Sequence, residues 1–386
     1  MEWLSTISPI VLGLTLVYCG FLLWILWGLF RLSEGRSQLL HSVSVVVAAK
    51  NEERSIESCL RALLAQDYPP EQYEIVVVDD ASTDATADIV QSIAWENSRV
   101  RLLRAQEGRA CLRAKKRALQ MGIEHSAGEI ILLTDADCLP APTWIKTMVR
   151  HFEPSVGLVA GHVHQGGQLL WQKLRSLERL SMAAMAAGAI GWNQGLSANG
   201  GNLGYRREVF REVAGFKSLS APLSGDDDLF IQLVSRKTSW EFQYAFEPEA
   251  AVSTKPPANL RQFVAQERRR TSKGRYYPTW VQAILIEAFM MNLALIITLP
   301  FSLCYLTTHP LPWGAFVGKA LCELLILIRA SRLFKRKGLL RFSPLAVFLH
   351  IPYFVVFSIW GTLGSYRWKA ETALAHRCGD CQTASW

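Results

Sequence analysis

Four long apolar stretches lie at the two ends of the chain. The first covers residues 9–30 and contains no charged side chain. About 20 apolar residues are enough for a helix to cross a bilayer, and this segment lacks the basic start of a cleaved signal peptide, so it predicts an uncleaved anchor. The other three occupy residues 281–306, 311–328 and 343–364, and they predict about three further membrane helices.

The region between these ends alternates short apolar runs with amphipathic segments. Strand-like runs cover residues 42–50, 73–82, 99–105 and 128–138, and helical segments cover residues 51–66, 83–97 and 113–126. This alternation predicts an α/β, Rossmann-like domain whose mostly parallel sheet carries helices on both faces. Ligands of such sheets bind beyond the carboxyl ends of the strands.

The apolar pattern divides the chain into an N-terminal anchor (1–36), a central domain (37–280), a membrane-helix region (281–364) and a tail (365–386). Lys and Arg near membrane helices concentrate on the cytoplasmic side. Residues 329–341 carry six basic side chains and no acidic one. We therefore expect a multi-pass protein of the plasma or inner membrane with its central domain in the cytoplasm.

The formal net charge of +8 changes this picture little. A basic chain is compatible with nucleic-acid binding, but no nucleic-acid-binding module is recognisable, and much of the excess lies beside membrane helices. Nucleic acid is therefore excluded as a partner, and anionic lipid headgroups are favoured. The single CxxC pair, Cys378 and Cys381, suits a spare thiol pair or an external disulfide, since structural zinc needs four ligands.

Pairs of aspartates follow two of the predicted strands. Asp79 and Asp80 end one strand, and Asp135 and Asp137 end another. Either pair alone is compatible with a capping role, but two pairs at one edge of a sheet indicate a site. No Walker A sequence or GxGxxG follows the first strand, so a nucleotide here is not held by a glycine-rich phosphate loop. The carboxylates suit Mg²⁺ or Mn²⁺, which bind substrate phosphates.

The segment SGDDDLF at residues 224–230 places three aspartates in a row. Burying adjacent like charges is costly, so the run needs an explanation. The residues themselves leave three interpretations open, namely a solvated turn or helix cap, a metal site, and a catalytic base.

Seven segments resemble those of family 2 glycosyltransferases and occur in the same order over roughly residues 42–275. They are VSVVVAAKNEERSIESCLRALLAQDYP, VVVDDASTDATADIV, RAKKRAL, GEIILLTDADC, ANGGNLGYRREVF, SGDDDLF and QERRR. The resemblance implies a GT-A fold, a nucleotide-activated sugar donor, commonly a UDP-sugar, and inversion at the anomeric carbon.

The resemblance also implies which residues bind the donor and its metal ion. Lys115 corresponds to a lysine near the pyrophosphate, although Ala114 stands where glycine is usual. Asp135 and Asp137 correspond to the metal-binding DxD, with Asp137 as the more direct ligand of Mg²⁺ or Mn²⁺. The positions that match contacts to the base and ribose are Ala48, Asn51, Glu52, Asp79 and Asp80.

For the triple aspartate, the resemblance implies a general base. Asp226 aligns with the catalytic aspartate, and Gly225 stands where glutamate is common. Asp227 is the second candidate, either as support or as the base itself. Asp228 is expected to begin the following helix, where an acid meets the positive end of the helix dipole.

The last motif of the family, QxxRW, is present with one departure. Gln266 and Arg269 match it, but Arg270 replaces the tryptophan that serves as an acceptor platform in polymerising members. All three are expected to contact the donor diphosphate, for which arginine is suited. In the glycine-containing segment 198–210, Asn199 and Asn202 are predicted acceptor contacts.

Together these observations predict a metal-dependent inverting glycosyltransferase that moves a sugar from a nucleotide-sugar to a lipid or glycan acceptor at the cytoplasmic face. Residues 168–192 form a predicted helix with a small-residue half that suits either a soluble core or the membrane interface. A processive polysaccharide synthase is an alternative that Arg270 and the four spans disfavour. A nucleotidyltransferase would normally carry a basic, glycine-rich loop after the first strand, and the segment AAKNEERS at that position is not such a loop. The acidic motifs argue against a catalytically inactive membrane scaffold.

Overall fold

The short apolar runs of the middle region form β-strands, and the long runs at the ends form helices, in the computed structural model of the protein. The structure describes residues 2–105, 112, 115–219, 225–303 and 309–363. The predicted tail, with its CxxC pair, lies outside the described residues.

Contacts within the chain separate two units. The sheet unit comprises residues 32–166 and 193–255, and the helical unit comprises residues 2–31, 167–192 and 256–363. Residues 167–192 and 256–280 therefore group with the predicted membrane helices, although the sequence pattern placed them inside the central domain.

In the sheet unit, β-branched and aliphatic runs form the strands and amphipathic segments form the helices. The strands are β1 (Val43–Ala49), β2 (Tyr73–Asp79), β3 (Val100–Arg104), β4 (Ile130–Asp135), β5 (Cys138–Pro140), β6 (Val156–Gly161), β7 (Val163–Gln165), β8 (Leu203–Arg206), β9 (Glu241–Ala245) and β10 (Val252–Thr254). Numbered along the whole chain, the helices of this unit are α2 (Ile56–Leu64), α3 (Thr86–Glu96), α4 (Lys115–Glu124), α5 (Trp144–Val149), α7 (Arg207–Glu212) and α8 (Asp228–Lys237).

Seven strands form the main sheet in the order β3-β2-β1-β4-β8-β6-β9. The pairs among β3, β2, β1 and β4 are parallel, β8 runs antiparallel to both its neighbours, and β6 is parallel to β9. A second sheet of three short strands has the order β5-β10-β7. The prediction of an α/β fold with a mostly parallel sheet is confirmed.

The core of the sheet unit forms between the central strands and the helices that cover them. Val45 and Val47 of β1 are fully buried and pack in one apolar cluster with Ile56 and Leu60 of α2. Burying such side chains contributes about 1.5–3 kcal/mol each. This cluster fixes the strands whose carboxyl ends carry the predicted site.

The helical unit contains four helices that are long and apolar enough to cross a membrane, over Leu4–Arg31, Thr279–Leu303, Leu311–Leu333 and Lys337–Thr362. The prediction of one N-terminal and three C-terminal membrane helices is confirmed at the level of length and composition. The helices of this unit are α1 (Glu2–Arg31), α6 (Leu170–Ile190), α9 (Leu260–Thr271), α10 (Thr279–Leu303), α11 (Leu311–Leu333) and α12 (Ser343–Leu363).

Helix α1 packs against α6, α10 and α11, and α12 packs against α9 and α10. Gly28 and Gly188 allow the close approach of α1 and α6, because a Cβ atom added to Gly28 would collide with the carbonyl oxygen of Gly188. The small-residue half of α6 is therefore a helix-packing surface within the helical unit.

Four polar side chains meet among the membrane helices. Glu323 Oε1 accepts hydrogen bonds from Lys319 Nζ (2.7 Å) and from the Tyr18 hydroxyl (2.9 Å), and it lies 3.1 Å from His350 Nδ1. These residues come from α11, α1 and α12, so the cluster connects three helices.

Candidate active site

The carboxyl ends of β1, β2 and β4 bring the predicted donor residues to one edge of the main sheet. Ala48 is in register with Asp135 of β4, and Ala49 is in register with Asp79 of β2. The buried Asp79 accepts the backbone N–H of Ser82 at 3.3 Å. The two predicted aspartate pairs therefore lie at the same edge, as the alternation pattern requires.

Asp80 is a buried carboxylate with cationic neighbours. Lys50 Nζ lies 3.9 Å from Asp80 Oδ2, and the guanidinium of Arg117 donates a hydrogen bond to Asp80 Oδ1. A buried charge is tolerated when it is paired in this way. Because Arg117 lies in α4, the pair also ties that helix to the end of β2.

The loops that follow β1 and β2 are joined by hydrogen bonds. Asn51 has a positive φ of 55°, which places its side chain over the second loop, and its Oδ1 accepts the backbone N–H of Thr83 at 2.8 Å. The backbone N–H of Glu52 donates to Thr86 Oγ1 at 2.8 Å. Asn51 and Glu52 are thus held beside the strand ends, where the resemblance predicts contacts with the nucleotide.

The predicted DxD brings together side-chain atoms that could hold a metal ion. One carboxylate oxygen each of Asp135 and Asp137 and the sulfur of Cys138 lie within 4.8 Å of one another. Although part of Asp137 reaches solvent, the loss of water around its carboxylate and repulsion from Asp135 and Glu52 raise its pKa to about 6. Crowded carboxylates of this kind fit a hard divalent cation such as Mg²⁺ or Mn²⁺.

Lys115 connects this group to the triple aspartate. Its Nζ lies 2.6 Å from Asp135 Oδ1 and 2.9 Å from Asp226 Oδ2. Burial alone would lower the pKa of Lys115, but these two carboxylates raise it above its ordinary value. Lys115 begins α4, and Ala114 before it lies outside the described residues. The structure therefore brings the predicted metal ligand, the predicted base and the predicted pyrophosphate lysine together.

The three consecutive aspartates have different surroundings. Asp226 is buried and faces Lys115. Asp227 caps α8, since its Oδ1 accepts the backbone N–H of Asp228 at 2.8 Å. Asp228 is the first residue of α8, and its Oδ1 accepts the Ser197 hydroxyl at 2.7 Å. The predicted helix start at Asp228 is confirmed.

Two glycines line the site, a detail that sequence reasoning noted only in general terms. A Cβ atom added to Gly200 would lie 3.1 Å from both Asp226 Oδ2 and Lys115 Nζ. One added to Gly201 would lie 3.2 Å from Asp135 Oδ2. The glycine pair of ANGGN thus lets the backbone run directly against the acidic cluster.

The two predicted acceptor contacts of this loop differ in position. Asn199 is half-buried, and its Oδ1 accepts the backbone N–H of Gly201 at 3.0 Å. Asn202 is fully buried, where it accepts from Trp144 Nε1 at 2.8 Å and donates to two backbone carbonyls at 3.0 and 2.8 Å. This geometry leaves Asn199 as a predicted acceptor contact and gives Asn202 a structural role.

Gln266, Arg269 and Arg270 lie in α9 of the helical unit. Gln266 Oε1 accepts a hydrogen bond from Arg175 Nη2 at 2.8 Å, and Arg270 pairs with Glu178 at 2.6 Å. The side chains of Gln266 and Arg270 are therefore engaged with α6, and their predicted contacts with the donor stay predictions.

Residues 44–214, which contain the strand-end acids, Lys115 and the glycine pair, match the sequence profile of the family described as glycosyl transferase family 2. The match covers less than half of the chain and lies within the predicted central domain. The fold of the chain is shared with a mannosyltransferase of Pyrobaculum calidifontis, PcManGT, solved in complex with GDP-Man and Mn²⁺. That likeness has a TM-score of 0.57 at 21% identity and covers 92% of this chain and 99% of the mannosyltransferase.

Curated relatives of this chain are glycosyltransferases by name. The glycosyltransferase AglE of Haloferax volcanii is 36% identical over 124 residues, which are 31% of this chain and 39% of AglE. The beta-monoglucosyldiacylglycerol synthase of Trichormus variabilis is 29% identical over 250 residues, which are 62% of this chain and 51% of the synthase. The chain thus spans about half or less of the length of these relatives. The predicted resemblance to family 2 glycosyltransferases and the GT-A fold are confirmed, and the roles of individual site residues remain predictions.

Proposed function

We propose that the protein is a metal-dependent inverting glycosyltransferase that moves one sugar from a nucleotide-sugar to a lipid-like acceptor at the cytoplasmic face of a membrane. The observation that carries this proposal is the position of Lys115 between Asp135 and Asp226. Lys115 contacts both Asp135, a carboxylate proposed to bind the cation, and Asp226, a buried carboxylate of a different motif. Both lie at the edge of the sheet where ligands of such domains bind.

The donor would bind at the strand ends of the sheet unit. Asp79, Asp80 and the Asn51–Glu52 loop would hold the nucleoside, and Asp135 and Asp137 would hold Mg²⁺ or Mn²⁺. When bound, the metal ion would neutralise the diphosphate as it leaves. Lys115 would supply a second positive charge beside Asp135. The resemblance favours a UDP-sugar, and PcManGT, which was solved with GDP-Man, makes guanosine donors the first alternative to test.

Asp226 would act as the general base. Its carboxylate would accept the proton of the acceptor hydroxyl while that oxygen bonds to C1 of the sugar and the bond from C1 to the diphosphate oxygen breaks. Attack from the face opposite the leaving group inverts C1. Asp226 is suited to this role because it is buried beside Asp135 and Lys115, where the Gly200 backbone approaches it closely. A positioned base typically contributes about 10²–10⁴-fold in rate.

A membrane lipid is the acceptor class that the observations favour. Four helices of the chain are suited to crossing a membrane, and the Trichormus relative is named for the synthesis of a glycosylated diacylglycerol. The six basic residues of 329–341 favour a cytoplasmic position for that segment and for the sheet unit. A reporter active only in the cytoplasm should work when inserted after Arg36 or within 331–340, and activity of an outside-only reporter there would contradict this orientation.

Transfer itself is tested with purified protein in lipid nanodiscs. UDP-glucose, UDP-N-acetylglucosamine and GDP-mannose, each with Mg²⁺ or Mn²⁺, are incubated with extracted membrane lipids, and the lipids are compared by mass spectrometry. We expect a lipid that gains one sugar with one donor, and no gain with the Asp226→Asn variant. A ladder of products would favour the polysaccharide synthase, and no transfer from any donor would contradict the proposal.

A further inference from the structure

One face of α9 is buried in the helical unit. Glu267 is fully buried, and Arg270, three residues later, lies on the same face. Phe263 belongs to this face as well, with its ring 6.4 Å from that of Tyr353 in α12 and the Arg175 guanidinium 4.9 Å away. The last turn of α9 therefore sits in a pocket made by α6 and α12.

Charged and polar groups connect the three helices. Arg270 binds Glu178 of α6 through Nη1 at 2.6 Å, and through Nη2 it contacts Glu267 at 2.6 Å and the Tyr353 hydroxyl at 2.9 Å. The Tyr353 hydroxyl donates to Glu267 Oε2 at 2.6 Å, and Arg175 Nη1 donates to Glu267 Oε1 at 2.6 Å. We call these five residues, Arg175, Glu178, Glu267, Arg270 and Tyr353, the clasp.

Glu267 is the centre of the clasp. Both its carboxylate oxygens accept hydrogen bonds, one from α6 and one from α12. Burial alone would raise the pKa of Glu267, but the charge of Arg270, together with Arg179 and Arg175, holds it below its ordinary value. A buried ion network of this kind contributes little net stability but strongly favours one geometry over others, since any displaced member is left without a partner.

The clasp explains the arginine that departs from the family motif. Arg270 occupies the position of the usual tryptophan, and its partners Glu178, Glu267 and Tyr353 belong to α6, α9 and α12. Arg269 is rotated from Arg270 by about 100° around the helix. Gln266 is joined to the clasp through Arg175. The contacts thus fix the rotation of the turn that carries both matching residues of the motif.

We infer that Arg270, Glu178 and Tyr353 are positioning residues that hold α9 in the orientation in which Gln266 and Arg269 serve transfer. This inference rests on the proposed function, because it assumes that the motif acts in sugar transfer. It gives a residue of a membrane helix, Tyr353, a part in the reaction without contact with the donor.

The test compares four variants in nanodiscs by transfer kinetics and by hydrogen exchange of the α9 amides. Arg270→Gln and Tyr353→Phe remove clasp contacts, Arg270→Lys keeps the charge, and Arg261→Gln is the matched control, an exposed arginine of the same helix. Melting temperatures identify any variant that fails to fold, and Tyr353→Phe, which loses only a hydroxyl, is the gentlest change.

We expect faster exchange across residues 260–271 and about a tenfold or larger fall in kcat/KM for Arg270→Gln and Tyr353→Phe, the scale of a lost hydrogen bond to a charged group. Arg270→Lys should lie between these variants and the wild type, and Arg261→Gln should match the wild type.

Two outcomes would overturn the inference. Unchanged exchange with impaired transfer would mean that Arg270 touches a substrate itself, and wild-type kinetics in both clasp variants would mean that the clasp is irrelevant to transfer. If the wild-type protein transfers no sugar, the proposed function is wrong, and the predicted effect of the clasp on kcat/KM fails with it. In that case faster exchange in the variants would still identify the clasp as the feature that holds α9.

Discussion

The ammonium group of Lys115 lies 2.9 Å from Oδ2 of Asp226, the predicted general base. The same nitrogen is 2.6 Å from Asp135, so a single side chain contacts the predicted metal-binding motif and the predicted base at once. Binding of a divalent cation at Asp135 would compete with Lys115 for that carboxylate. The arrangement therefore links the state of the donor site to the surroundings of Asp226.

Lys115→Met should impair both stability and transfer. It leaves the buried Asp226 without its cation, and removing one partner of a buried pair typically costs about 3–5 kcal/mol. Thermal unfolding should show the loss of stability, and kinetics should show a fall in transfer that Lys115→Arg partly restores. The prediction is wrong if Lys115→Met melts and turns over like the wild type.

Substitution of each member of the triple aspartate should separate their roles. Asp226→Asn should lower turnover about 10²–10⁴-fold with nearly unchanged donor binding, because asparagine cannot accept the proton. Asp228→Asn should mainly affect stability, by about 1 kcal/mol, through its bonds to the loop before the glycine pair. Asp227→Asn should fall between the two.

The roles of the three aspartates are distinguished by measuring the turnover number and the nucleotide affinity of each Asp→Asn variant. A loss of turnover in Asp227→Asn but not in Asp226→Asn would move the base by one position. Full activity in all three variants would leave the proposed mechanism without a base.

Metal-dependent nucleotide binding should weaken as the pH falls through about 6. Asp137 has a pKa raised to about 6, so protons compete with the cation for its carboxylate below that value and not above it. Calorimetric titration with a nucleotide and Mn²⁺ between pH 5 and 8 measures this effect. Asp137→Asn should bind the metal weakly throughout and lose the pH dependence, whereas an unchanged metal affinity would contradict its assignment as a ligand.

The two asparagines of ANGGN should respond differently to substitution. Asn202→Leu leaves the Trp144 Nε1 and two carbonyl groups without partners, at about 1–3 kcal/mol each, so it should lower the melting temperature strongly. Asn199→Ala should change the melting temperature little and raise KM for the acceptor. A stable Asn202→Leu protein would contradict the structural role.

The sheet and its acidic edge were accessible from the sequence because both depend on local patterns. Runs such as VSVVVAA are typical of central strands, and acids directly after two parallel strands meet at one edge of the sheet. The helix start at Asp228 is predicted from an acidic residue directly before an apolar run, because an acid suits the positive end of the helix dipole. These features need no knowledge of distant partners.

Other features depend on pairings between distant positions and could not be predicted in this way. Arg270 forms an ion pair with Glu178 of α6, and the local sequence around either residue does not identify the other as its partner. From the sequence alone, Asn202 looks like an exposed amide in a loop. Only the structure shows that its side chain is bonded to Trp144 Nε1 and to the carbonyl groups of His162 and Ala250. Residues 167–192 belong to the helical unit because Gly188 fits against Gly28, a match between positions far apart in the chain.

The cluster around Glu323 has a consequence for biosynthesis. A lysine at the centre of a lone membrane helix costs roughly 2.5–3.5 kcal/mol, and the pairing of Lys319 with Glu323 within α11 offsets part of that cost. Tyr18 precedes Glu323 by 305 residues, and His350 follows it by 27. The pair forms within α11, whereas the contacts of Glu323 with Tyr18 and His350 require α1 and α12. We therefore expect the polar cluster to be completed only once α12 has been synthesised, so that the helices reach their final packing late in translation.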